Sequence, residues 1–278
     1  MMTKDEAARI PVLVGVGQVS DHAAGAFPGP SVLDLMEAAL RRAEADAGGS
    51  WLPSADFIGI VNQISSEVAP WPGKEPITPH LLARLGVRPQ ATMLSDEPSG
   101  DSPILLLNHA ANRIAAGETR VALVVGAEAL RTMASRKAEE ARQRAAQPDA
   151  AKPGAPKSNA PKSNAPKSNA MRDLLDSMGI PELHGRYGLV SPTDVYPLFE
   201  SATRAAWGQT LAEAQLESAR MWSAFSEAAA ANPGAWAHDV LEPEAILDVS
   251  AKNRMVSHPY TKLMVANSAV NQGAALIV

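Results

Sequence analysis

The chain contains no cysteine in its 278 residues, which excludes disulfides, thiolate metal sites and a cysteine nucleophile. It lacks a basic excess: 25 Lys and Arg stand against 30 Asp and Glu, for a net charge of −5 and a pI near 5.7. No positive field gathers a phosphate backbone, and no nucleic-acid partner is expected. Nothing approaches a run of ~18 consecutive apolar residues, so no membrane span is expected. The N-terminus, MMTKDEAARIPVLVGVG, carries charges of both signs before a brief apolar run and has no small-residue cleavage pattern. It does not read as a signal peptide, and the cytoplasm is the expected compartment. With 46% hydrophobic and 20% charged residues, the composition suits one large or two modest cores.

Pro11 to Val19 (PVLVGVGQV) is strand-like, and Ser31 to Ala47 carries Val32, Leu35, Met36, Ala39 and Leu40 at helical spacing. Ala55 to Ile64 is apolar and β-branched and reads as a buried strand. A short helix over Pro79 to Leu85, stopped by Gly86, leads to a third strand, Ala91 to Leu94. A helix follows, then a fourth strand in Arg120 to Val125. Strands alternating with helices at short intervals imply right-handed crossovers and a mainly parallel sheet with helices on both faces. The alternation then breaks. Residues 131–150 are charged and helix-prone, and APKSN repeats at Ala155–Asn159, Ala160–Asn164 and Ala165–Asn169. Such composition builds no packed core, so 151–170 reads as a disordered excursion. From Met171 to about Asp248 the pattern is mostly helical, with three tryptophans: Trp207, Trp222 and Trp236. Thr261 to Asn271 reads as a further helix, and Gln272 to Val278 (QGAALIV) as a last strand.

The stretch 95–118, SDEPSGDSPILLLNHAANRIAAGE, joins an acidic turn to a helix that is apolar on nearly every side. Ser102 suits the N-cap and Pro103 the first helical position. Ile104 to Leu107, Ala110, Ala111, Ile114 and Ala115 leave no broad polar face, so the helix is expected to be covered on most sides. A turn where amide N–H groups converge at a helix N-terminus can mount a nucleophile or hold an anion.

The order of elements, strand–helix–strand–helix–strand–buried helix–strand–insertion–helix–strand, resembles the N-terminal half of the thiolase fold with its loop domain. SPILLLNHAANRIAAGETRVALVVGAEA looks like the helix–strand passage of thiolase-like acetyl-CoA acetyltransferases. YPLFESATRAAWGQTLAEAQ (Tyr196 to Gln215) with FSEAAAANPGAW (Phe225 to Trp236) resembles the loop domain of the sterol-carrier-protein-type branch. NRMVSHPYTKLMVANSAVNQGAAL (Asn253 to Leu276) is similar to that branch's return to the sheet. The resemblance implies an α/β thiolase-like domain over 1–130 and 249–278, an inserted, mostly helical loop domain over 131–248, and a second thiolase half that is absent.

It also implies acyl transfer to or from coenzyme A, whose thioester is the substrate; no cofactor is implied. In that family a cysteine at the N-terminus of the buried helix takes the acyl group, while backbone amides stabilise the oxyanion. Laid on this chain, Ser99 falls at or next to the nucleophile position, with Gly100, Asp101 and Ser102 as substrate-binding candidates. A serine needs a strong base beside it, and the local sequence offers none; Asp96, Glu97 and Asp101 crowd the turn with negative charge. Condensing activity is therefore expected to be impaired. A non-catalytic acyl-CoA binder, or a subunit completed by a thiolase-like chain, is the alternative. A two-fold dimer through the edge of Ala91 to Leu94 is expected.

Each candidate has a plainer reading beside it. Ser99 reads more simply as a turn serine, and the three acids as favourable charges at a helix start rather than ligands of a hard cation; no metal site is expected. Gly15 and Gly17 resemble the opening of a dinucleotide fingerprint, but Ser20 stands at its third glycine, so a strand-end turn fits better. His258 is a candidate acid–base group by resemblance, otherwise a packed or surface histidine. His109 is expected to be held by a local hydrogen bond inside the buried helix. Arg172, Arg186 and Arg204 are available cations for coenzyme A phosphates, and ordinary surface ion pairing explains them equally well.

Overall fold

The computed structural model describes residues 9–22, 29–65, 77–96, 98–146, 184, 186–189, 191–267 and 269–278. The APKSN repeats and the rest of 151–170 lie outside them. The chain divides into two compact units, Met1–Pro148 with Ser268–Val278, and Asp149–Asn267.

In the first unit the elements are β1 (Gly15–Ser20), α1 (Val32–Ala47), β2 (Phe57–Ile60), α2 (Ile77–Leu85), β3 (Ala91–Leu94), α3 (Ser102–Ala115), β4 (Ala122–Ala129), α4 (Leu130–Ala146) and β7 (Asn271–Ile277). They form a five-stranded sheet in the order β1-β7-β4-β2-β3. β2 pairs in parallel with β3 and β4, while β7 runs antiparallel to both β1 and β4. The sheet is thus mixed and mainly parallel, as its alternating pattern requires. β2 is shorter than the apolar run 55–64 because its register with β3 ends at Ile60, opposite Leu94.

Alternation along β4 splits the core between the two faces. Leu123, Val125 and Ala127 join α1 through Met36, Ala39 and Leu40, all buried. Ala122 and Val124 point the other way and meet Phe57, Leu106, Ala110, Ile114 and Val278. Helix α1 starts where its chemistry dictates. The Ser31 hydroxyl accepts from the Asp34 amide at 3.1 Å, and the Asp34 carboxylate accepts from the Ser31 amide at 2.8 Å, closing a capping box. Gly48, at φ 68°, ends the helix in the left-handed conformation.

Gly15 and Gly17 occupy neither a nucleotide loop nor a strand-end turn. They lie within β1, pressed against α1: a Cβ on Gly17 would fall 2.0 Å from the Ala39 carbonyl oxygen, and one on Gly15 2.2 Å from that of Ala43. Helix and strand approach so closely that only hydrogen fits between them.

The second unit holds α5 (Pro192–Ala206), α6 (Leu211–Ala230), α7 (Pro243–Leu247) and the hairpin β5 (Met255–Ser257) to β6 (Tyr260–Thr261). Capping boxes at Ser191–Asp194 and Thr210–Glu213 start α5 and α6. Ala219, Ile246 and Met264 form its small buried core, with Trp222, Tyr260 and Leu263 packed against it. Asn253 ties it together: its side-chain amide donates to the carbonyls of Ile246 and Asp248 at 2.9 and 2.8 Å, and its oxygen accepts from the Leu263 amide at 2.9 Å.

The helix expected over Thr261 to Asn271 does not form. Among its described residues that stretch is the end of β6, a single 3-10 turn (Lys262–Met264), irregular chain over 265–267 and 269–270, and the first residue of β7. The Thr261 hydroxyl donates to the Ile246 carbonyl at 2.8 Å and the Asn253 side chain accepts from the Leu263 amide at 2.9 Å, which tie the start of the stretch to α7 and the segment before β5.

Candidate functional site

The carboxyl ends of β2 and β3 and the N-terminus of α3 are joined through residues 95–96 and 98–102. The Ser95 hydroxyl accepts from the Asn62 amide at 2.8 Å, and the Asn62 side chain donates to the Asp96 carbonyl at 3.1 Å. Beyond Asn62, Glu128 of β4 accepts from the Ile64 and Ser65 amides at 2.7 and 3.0 Å, and Ser65 Oγ donates to it at 2.5 Å. Ser65 Oγ in turn accepts from the Ala129 amide at 2.9 Å. This clamp fixes the exit of β2 to β4. It joins the adjacent pair Ile64–Ser65 to the adjacent pair Glu128–Ala129, 63 or 64 residues further along, and carries no motif signature, so sequence reasoning passed over it.

Ser99, Gly100, Asp101 and Ser102 come together in one turn, where the first three are exposed and Ser102 is buried. The Ser99 hydroxyl donates to Asp101 Oδ1 at 2.5 Å, so an acceptor does stand beside it. Carboxylates as a class are weak bases toward a hydroxyl, and the contact orients the serine more than it activates it. It also redirects the cap. The N-cap of α3 is Asp101, not Ser102, and its carboxylate caps nothing because it serves Ser99. Pro103 brings no N–H, and the Ser102 amide is directed to the Ser99 carbonyl at 3.3 Å. The turn therefore offers an anion fewer donors than its sequence suggests. Glu97 lies outside the described residues.

Helix α3 is not covered on most sides. Leu106, Ala110 and Ile114 are buried, while Ile104 and Leu105 are 68% and 54% exposed. His109 is exposed rather than enclosed, its ring 5.6 Å from that of Phe57; the Arg113 guanidinium lies 5.3 Å from the same ring. Beside Pro103 an open, apolar cavity of about 440 Å³ is lined by Val61, Asn62, Gly126, Ala274 and Leu276 among others. Its volume is that of a small-ligand site.

His258 belongs to the second unit, exposed in the turn between β5 and β6. Of the three arginines, Arg172 lies outside the described residues, Arg186 is exposed, and Arg204 donates to the Gln209 carbonyl at 3.4 Å. Among the described residues no cluster of three or more His, Asp or Glu could hold a metal ion, and no helix is long and apolar enough to cross a membrane.

No family model and no curated protein matches the chain. Solved structures do. A monomeric SCP2-thiolase-like protein type 1 from Mycobacterium smegmatis superposes with a TM-score of 0.66 at 27% identity, over 97% of this chain and 45% of that one. An Ltp2–ChsH2(DUF35) aldolase gives a TM-score of 0.59 at 18% identity, over 95% of this chain and 54% of that one. The chain carries the thiolase-like fold. It spans about half the length of the proteins it matches.

Proposed function

We propose that the chain is a thiolase-like acyl-CoA acyltransferase family member, related to acetyl-CoA acetyltransferases of the sterol-carrier-protein type, and that it condenses acyl groups poorly on its own. The observation carrying this reading is the turn at the start of α3. A serine whose hydroxyl is held by Asp101 at 2.5 Å stands where the family resemblance implies a sulfur nucleophile, four residues before Pro103, which lines an apolar cavity of about 440 Å³. Acyl transfer there would need Ser99 Oγ to bond the thioester carbonyl carbon, its proton to leave toward Asp101, and coenzyme A to depart as the thiolate. An oxygen nucleophile without a strong base loses most of the advantage of this step. Gly100, Asp101 and Ser102 would line the acyl group's approach. His258 as an acid–base group belongs to the same reading.

Incubating the purified chain with acetyl-CoA and following free thiol tests it. Release at the rate of buffer is expected; an acyl group trapped on Ser99 would overturn the proposed impairment. The second reading, a non-catalytic acyl-CoA binder or partner of a thiolase-like chain, is favoured by the apolar residues left uncovered on the first turn of α3, Ile104 and Leu105, each more than half exposed. Calorimetry with coenzyme A separates the two ideas from a fold without a ligand: binding heat supports both, and silence removes both.

A further inference from the structure

The second unit contains a cavity that the acyl-transfer reading does not use. It lies where α5, α6 and the segment 260–266 meet, with a volume of about 470 Å³. Tyr196 and Glu200, one helical turn apart on α5, present to the same side. Trp222 and Met221 come from α6, and Tyr260 and Met264 from the hairpin and its following turn. The chain is poor in aromatics at 4%, yet two of its three tyrosines and a tryptophan line this one space. Glu200 is the only charged residue among those lining it. Its carboxylate and the Tyr260 phenol line the same space, and the carboxylate's charge opposes ionisation of the phenol. Glu200 also borders the adjoining cavity, which Arg204 and Glu217 line; Arg204 does not line the aromatic cavity and donates to the Gln209 carbonyl.

Ring faces are negative and attract a cation whose hydration is weak, and a carboxylate adds to the attraction. An anion would meet Glu200 with no compensating charge. A compact, strongly hydrated ammonium would gain less than an alkylated one, whose methyl groups also bury against Met221 and Met264. We infer that this cavity is a binding site for a small soluble ligand bearing an alkylated ammonium group, held by Tyr196, Trp222 and Tyr260 with Glu200 as counter-charge.

The test is calorimetry on the full chain with choline and with dimethylbutanol, its neutral isostere in which carbon replaces the quaternary nitrogen. Choline is expected to bind about ten-fold more tightly than the isostere. Tyr196→Ala, at a side chain 59% exposed and hence safe for folding, and Glu200→Gln should each weaken choline binding several-fold with an unchanged far-ultraviolet circular dichroism spectrum. Equal or tighter binding of dimethylbutanol, choline affinity untouched by both substitutions, or no heat with either compound would overturn the inference. Phosphatidylcholine vesicles carry the same headgroup; co-sedimentation with them in the absence of choline binding would also overturn it, since the occupant would then be a lipid surface.

Discussion

At the residue scale, position decides more than residue type. Gly17 and Gly100 are both glycines of the first unit with opposite demands. A methyl group on Gly17 would strike the Ala39 carbonyl oxygen at 2.0 Å, whereas one on Gly100 meets nothing within 4 Å. Gly17→Ala is therefore expected to destabilise the chain by about 2–3 kcal/mol through forced separation of β1 and α1, and Gly100→Ala by less than about 0.5 kcal/mol; denaturant unfolding of both variants checks this. Tyr260 supplies a second residue-scale prediction. Burial first, then the hydrogen bond and charge of Glu200, push its phenol above the ordinary tyrosine value. A group raised on folding contributes stability that is whole below its unfolded-state pKa, about 10, and is lost as pH rises through the folded value. Ultraviolet titration should show a phenol that resists ionisation at alkaline pH, absent in Tyr260→Phe and ionising earlier in Glu200→Gln.

At the element scale, α1 is bound at its start and along its side. Burial would raise the Asp34 carboxyl, but the Ser31 hydroxyl and amide together with Arg84 outweigh it and hold the group below the ordinary carboxylate value. Arg84 of α2 reaches Asp34 at 2.6 Å and Glu37 at 3.0 Å, tying the two helices. A lowered carboxyl contributes stability that is present above its unfolded-state pKa, about 3.9, and disappears as pH falls through its folded value. Ser31→Ala is expected to cost about 1 kcal/mol at neutral pH. The deficit should shrink under acid conditions where Asp34 is protonated in both proteins; thermal unfolding across pH measures it. Helix α3 teaches a different lesson. Its sequence has no broad polar face, yet of its apolar residues only the Leu106, Ala110 and Ile114 stripe is buried. An apolar residue states what could be buried, while the neighbour that buries it must come from elsewhere in the fold.

At the scale of the whole molecule, β3 ends one side of the sheet among the described residues. Short though it is, its free edge supports the proposed two-fold pairing through Ala91–Leu94. The M. smegmatis protein is monomeric by its name, so the outcome is informative either way. Sedimentation velocity at micromolar concentration should show a dimer of this chain, and a charge placed outward on β3 (Thr92→Lys) should return it to a monomer. A monomer at the outset would remove the pairing.

The sequence by itself determined the alternation of strands and helices and hence the mainly parallel sheet, because periodicity and turn residues act over a few neighbours. It also determined the absence of a thiol, and the order of segments through which the thiolase resemblance was legible. Only the tertiary structure decided that β7 runs between β1 and β4 in the opposite direction, that Glu128 locks Ser65, that Ser99 answers to Asp101, and that Tyr196, Glu200, Trp222 and Tyr260 share a cavity. Apart from the local Ser99–Asp101 contact, these join residues distant along the chain. Local spacing carries no trace of such meetings, since they are selected by the packing of whole faces.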